Sequence, residues 1–135
     1  MSGAEKILVV GGVLTLVYGF LLGFPMTALR MREGNPPTPR YLTVAHVGAV
    51  MQGVILLGLV WAVRMSELSG AWEAAAAWLL VLSGVLIAAK DTLNWLLGVN
   101  DEFAEKARTG PLGLLGVLTM TPALAILTVG VLAAL

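Results

Sequence analysis

Residues 41–63 read YLTVAHVGAVMQGVILLGLVWAV. No Asp, Glu, Lys or Arg interrupts this run. A bilayer core needs roughly 20 apolar residues of helix, so the run is long enough to cross one. It also holds His46, the single histidine of the chain, and a lone amide, Gln52. An imidazole and an amide in lipid each need a partner or a task.

The rest of the chain follows the same pattern. Residues 7–29 and 109–135 carry no formal charge, and 74–97 is apolar except for Lys90, Asp91 and Asn94. Soluble domains carry about 25% charged residues; this chain carries 12%, with mean hydropathy +0.93. The runs are too long for barrel strands and lack strand alternation. The expected fold is all-α: one four-helix transmembrane bundle over residues 1–135, with helices at about 7–29, 41–63, 74–97 and 111–134. The first run is too long for a signal peptide and has no small-residue cleavage site leading into a soluble domain, so it reads as a mature helix.

Zero net charge leaves no basic footprint for nucleic acid. The absence of cysteine excludes disulfides, thiolate metal sites and cysteine nucleophiles. Pro36, Pro37 and Pro39 end the first helix region. Thr109 is the expected N-cap of the fourth helix, with Pro111 in its first turn. Pro122 in TMTPA (119–123) is expected to kink that helix, with Thr119 and Thr121 bonding the freed carbonyls. Trp61, Trp72, Trp78 and Trp95 read as interface anchors, and Trp95, beside Asn94, as a possible wall of an aromatic pocket.

Lys6 and Arg64 lie on one side of the membrane; Arg30, Arg32, Arg40, Lys106 and Arg108 lie on the other. The bias puts the first and third loops in the cytoplasm and both termini in the periplasm, giving a multi-pass protein of a bacterial inner membrane. His46 then lies about one turn inside the cytoplasmic end of its helix, level with Lys90, Asp91 and Asn94, while Gln52 is near the midplane. Lys90 and Asp91 point about 100° apart and do not face each other. On one reading Lys90 snorkels to headgroups and Asp91 meets a loop arginine. On the other, Asp91 and Asn94, three residues apart, wall a pocket. His46 is either interhelical glue or a ligand. With no second histidine, a metal cluster of histidines within one chain is impossible, whereas a haem needs one protein ligand and leaves the other iron face open. Ala45, Ala49 and Gly53, with Gly48 and Gln52 alongside, make a small-residue face that lets a helix or a flat cofactor approach. Gly19 and Gly23 form a similar pair in the first helix.

Taken together, AHVGAVMQG (45–53), an Asn late in the third helix and a TPA fourth helix resemble the small membrane isomerases, the family that includes hydroxylaminobenzene mutase and styrene oxide isomerase. The compact length is closer to the mutase. The resemblance implies a homotrimer with b-type haem between subunits and His46 as axial iron ligand. Where styrene oxide isomerase has an Asn six residues after the His, this chain has Gln52. The helix-3 tyrosine of that enzyme is absent, and Asn94 is the nearest polar residue. The implied reaction is an intramolecular rearrangement of a small aromatic substrate, hydroxylaminobenzene to 2-aminophenol, without net redox change. In this expectation Gln52 and Asn94 orient the substrate and Asp91 moves a proton or stabilises a cation. Three alternatives stay open: an aryl epoxide isomerase, a small non-enzymatic membrane subunit, and a transporter or channel. For the last, the sequence offers no broken-helix pair or charged pore ring.

Overall fold

A computed structural model describes residues 1–33 and 37–135; Pro36 lies outside them. Four helices carry the chain: α1 (Gly3–Glu33), α2 (Arg40–Met65), α3 (Gly70–Leu96) and α4 (Gly110–Ala133). All four are long and apolar enough to cross a membrane, and the described residues contain no strand. The helices outrun the charge-free stretches because polar residues fit the helix ends. Ser2 and Glu5 cap α1 reciprocally: Glu5 N–H donates to Ser2 Oγ at 3.2 Å, and Ser2 N donates to Glu5 Oε2 at 3.3 Å. Glu5 also takes Arg64 Nε at 3.2 Å, tying the start of α1 to the end of α2. After α3, Gly98 adopts φ 69°, and its N–H bonds back to the Trp95 carbonyl at 3.0 Å. The left-handed turn is open to glycine at little cost.

Two local expectations about hydroxyl partners need correction. Thr109 stands at the N-cap position of α4, but its hydroxyl makes no cap bond. It donates instead to Asn94 Oδ1, a buried acceptor that competes successfully for the proton. In α4 the helix continues through Pro122. The carbonyl that Pro122 deprives of its donor belongs to Leu118. Thr119 bonds the Leu115 and Gly116 carbonyls and Thr121 that of Val117, so neither serves it.

α2 and α3 form the centre, each touching both outer helices. Small residues set the α1–α2 seam. A Cβ on Gly53 would lie 2.9 Å from the Gly12 carbonyl oxygen, and one on Gly19 would lie 3.3 Å from Ala49 Cβ. The row Ala45, Ala49 and Gly53 therefore packs helix on helix. Between α3 and α4, Ser83 Oγ donates to the Gly116 carbonyl at 2.8 Å. Apolar side chains fill two clusters. The larger, around Leu8, Leu56, Leu80 and Leu127, lies toward the termini. The smaller, Leu22, Leu42 and Ala45 with Trp95 against them, lies toward the first and third loops. Trp95 is thus a packing residue here, while Trp61, Trp72 and Trp78 are exposed. The outer surface is apolar too, with Phe20, Phe24, Val85 and Leu118 exposed. That inversion suits lipid as solvent.

Candidate functional site

His46 lies one and a half turns into α2, at the seam with α1. Its Nδ1 is 2.7 Å from the Gly19 carbonyl oxygen. A carbonyl only accepts, so Nδ1 carries the hydrogen of this contact, and Nε2 is the ring nitrogen left for another partner. Gly23 allows the ring to sit against α1: a Cβ there would be 3.6 Å from Cε1. The imidazole borders a groove of about 360 Å³ between α1 and α2, lined also by Gly23, Met26, Thr27, Arg30 and Thr43. Thr38 lines the same groove, and its Oγ1 is buried without a partner among the described residues. An imidazole whose Nδ1 is anchored to a carbonyl matches the usual second shell of a metal-bound histidine.

The remaining polar residues gather on the other side of α2. Asp91 and Asn94 are both buried. Lys90 Nζ lies 3.1 Å from Asp91 Oδ1 and 2.8 Å from Glu102 Oε2. This overturns the expectation that Lys90 and Asp91 avoid each other and that a loop arginine serves Asp91. The long lysine stem bends across the helix surface, drawn by Glu102 from the third loop. The Asp91 contact is close but poorly aligned as a hydrogen bond, which leaves Oδ1 without a well-directed donor. Asp91 Oδ2 lies 3.9 Å from where a Cβ of Gly48 would be. Asn94 Nδ2 donates to Glu102 Oε2 at 3.0 Å, and its Oδ1 accepts from Thr109. The Tyr41 hydroxyl accepts the Glu102 N–H at 3.2 Å. Asn94 therefore joins α3, the third loop and the start of α4.

Arg40 at the start of α2 also holds this loop, donating to the Asn100 carbonyl at 2.9 Å. Within the loop, the Asp101 carboxylate accepts the N–H groups of Ala104 and Phe103, which hold its pKa below the usual carboxylate range.

Gln52 packs across the α2–α3 seam, with Nε2 3.2 Å from where a Cβ of Gly84 would lie. Gly48 and Gln52 are four residues apart and share a face. His46 is about 200° from Gly48 at about 100° per residue. His46 and Asp91 are thus level in the membrane, as expected, but lie on opposite faces of α2. Within one chain the structure brings Asp91 and Asn94 into one cluster and keeps His46 apart.

Three further residues belong to this region. Glu102 had no periodic relation to Lys90, twelve positions earlier, that could reveal the pair. Tyr41 lay at a helix end, where a tyrosine is ordinary. Tyr18 did carry a signal, a phenol inside an apolar helix, because a buried hydroxyl needs a partner. Its hydroxyl pairs with Thr92 Oγ1. Thr92 spends its own hydrogen on the Ala88 carbonyl at 2.7 Å, so Tyr18 is the donor. The pair stands beside an apolar slot of about 360 Å³ between α1 and α3, walled by Leu14, Tyr18, Gly84, Val85 and Ala88.

Among the described residues no group of three or more His, Asp or Glu side chains could hold a metal ion. A family model described as styrene oxide isomerase matches residues 4–135, nearly the whole chain. No curated protein and no solved structure matches it.

Proposed function

Because the chain belongs to the styrene oxide isomerase family, an isomerase family, we propose that it rearranges hydroxylaminobenzene to 2-aminophenol with haem b held by His46. The observation that carries this reading is the His46 tautomer. Nδ1–H is engaged by the Gly19 carbonyl, which makes Nε2 the nitrogen available to a ligand at a groove. A histidine serving only as helix glue needs no such groove.

The reaction breaks the N–O bond and forms a C–O bond at the ortho carbon. The ortho carbon loses a proton and nitrogen gains one, so nothing enters or leaves overall. Haem, when bound, supplies a Lewis acid for the oxygen of the breaking bond. His46 fixes its position, and the Gly19 carbonyl fixes the plane of the imidazole. Gln52, at the centre of α2, orients the substrate by hydrogen bonding. Asp91 handles the ring proton as a buried carboxylate beside the Lys90 ammonium. Asn94 acts as a positioning residue: its bonds to Glu102 and Thr109 keep the third loop over the Asp91 end of the bundle. Exclusion of water by the apolar surroundings favours ortho delivery over capture of a ring cation by solvent.

His46 and Gln52 lie about 120° apart around α2, His46 at the α1–α2 groove and Gln52 in the α2–α3 seam. In the homotrimer that the family resemblance implies, a second copy would complete the open wall of the His46 groove. The first and third loops are assigned to the cytoplasm of a bacterial cell and both termini to the periplasm, on the lysine and arginine bias.

A second reading, an aryl epoxide isomerase, is favoured by the description of the family itself. It uses the same acid on a C–O bond. The two separate when purified protein is given hydroxylaminobenzene and styrene oxide in parallel. The proposed reading requires kcat/KM at least roughly tenfold higher on the hydroxylamine. The reverse preference assigns the epoxide reaction, and inactivity on both rejects an isomerase of either kind.

A further inference from the structure

We infer that Arg30 is the cationic partner of the haem propionates, an assignment that rests on the haem proposed at His46. Arg30 and His46 border one groove. From Gly23, which lies against the imidazole, Arg30 is seven residues further along α1. That is about 10.5 Å along the axis and within about 20° of the same face. A macrocycle standing in the groove with its iron at His46 can send its carboxylates in one of two directions. Toward the membrane centre, the α1–α2 seam is shut by the close approaches of Gly19 to Ala49 and Gly53 to Gly12. No charged residue lies that way in 7–29 or 41–63. Toward the loop end, the groove reaches Arg30, a planar fork of donors suited to carboxylates. Thr38 Oγ1, buried in the same groove without a partner among the described residues, offers a further donor.

The other arginines flanking α2 have evident structural tasks. Arg40 holds Asn100 and Asp101, and Arg64 holds Glu5. The competing role for Arg30 is contact with lipid phosphate at the interface.

The test uses full-length protein purified with its haem, as wild type and as Arg30→Ala. Two properties are read: the propionate-bending band in the resonance Raman spectrum, and the rate of haem transfer to apomyoglobin. The Soret position should be the same in both proteins, because His46 is untouched. The propionate band should shift in the variant, and haem should leave roughly tenfold faster or more, as the loss of a charge-assisted bond implies. An unchanged band and rate would assign Arg30 to lipid and overturn the inference. Faster release with an unchanged band would also overturn it, since Arg30 would then support the groove without touching the carboxylates. Wild-type protein without any Soret band would remove the haem reading itself, and this assignment with it.

Discussion

Glu102 is the residue whose removal should cost most for its place in a loop. Its Oε2 takes Lys90 Nζ at 2.8 Å and Asn94 Nδ2 at 3.0 Å, while its N–H reaches the Tyr41 hydroxyl. A hydrogen bond to a charged group contributes about 1.5–3 kcal/mol. The Lys90 and Glu102 side chains are 15% and 20% exposed, so water screens the pair in part and the lower half of that range applies. Glu102→Ala also strands the buried Asn94 amide, at a cost of about 1–3 kcal/mol. The sum is about 2.5–5 kcal/mol, against ±0.5 kcal/mol for an ordinary surface change. Glu102→Gln keeps an acceptor and should cost about 1 kcal/mol less. The assay is reversible unfolding in mixed micelles, with Lys90→Met completing a double-mutant cycle. The coupling between positions 90 and 102 should be about 1–2 kcal/mol. A Glu102→Ala change within ±0.5 kcal/mol, or zero coupling, would refute the claim that this loop residue anchors the polar cluster.

Other outcomes follow from the same contacts. Gly53→Val should destabilise by about 1–3 kcal/mol or more, because even its Cβ would meet the Gly12 carbonyl oxygen at 2.9 Å; unchanged thermal stability would contradict the backbone approach. Tyr18→Phe should cost about 1 kcal/mol, and Thr92→Val added to it should bring no further loss from that bond; independent, additive losses would show that the two hydroxyls do not interact. Asp101 has a folded pKa below the ordinary carboxylate value of 3.8. The turn it caps should therefore be fully supported above that value and lose support as pH falls through the lower folded one. Protection factors at the Phe103 and Ala104 amides, lower below that window than above it once intrinsic exchange is divided out, check this, and a pH-independent protection would refute it.

The spans were legible because lipid imposes a simple rule: charge-free runs of sufficient length must be helices. The Gly and Ala rows were legible as close packing for a related reason, since small side chains serve little else inside a bilayer. The level of His46 with Asp91 could be counted along the helices, and their opposition across α2 follows from about 100° per residue. The loop contacts resisted reading. Nothing in the spacing of Lys90, Asn94 and Glu102 announces that the chain folds back after Gly98, or that a lysine will bend toward its sequence neighbour to meet a glutamate. Thr109 had the chemistry of a cap, and only the position of Asn94 in space shows why its hydroxyl turns elsewhere. The phenol at position 18 lies in an apolar helix, and nothing in the spacing of Tyr18 and Thr92 shows that their hydroxyls meet.

The most direct test of the account is the absorption spectrum of detergent-purified protein produced with ample haem, wild type beside His46→Ala. The account predicts a Soret band in wild type and its loss in the variant, with the variant still inserted in the membrane and inactive. A wild-type protein without the band, or a His46→Ala protein that is haem-free and fully active, would contradict it.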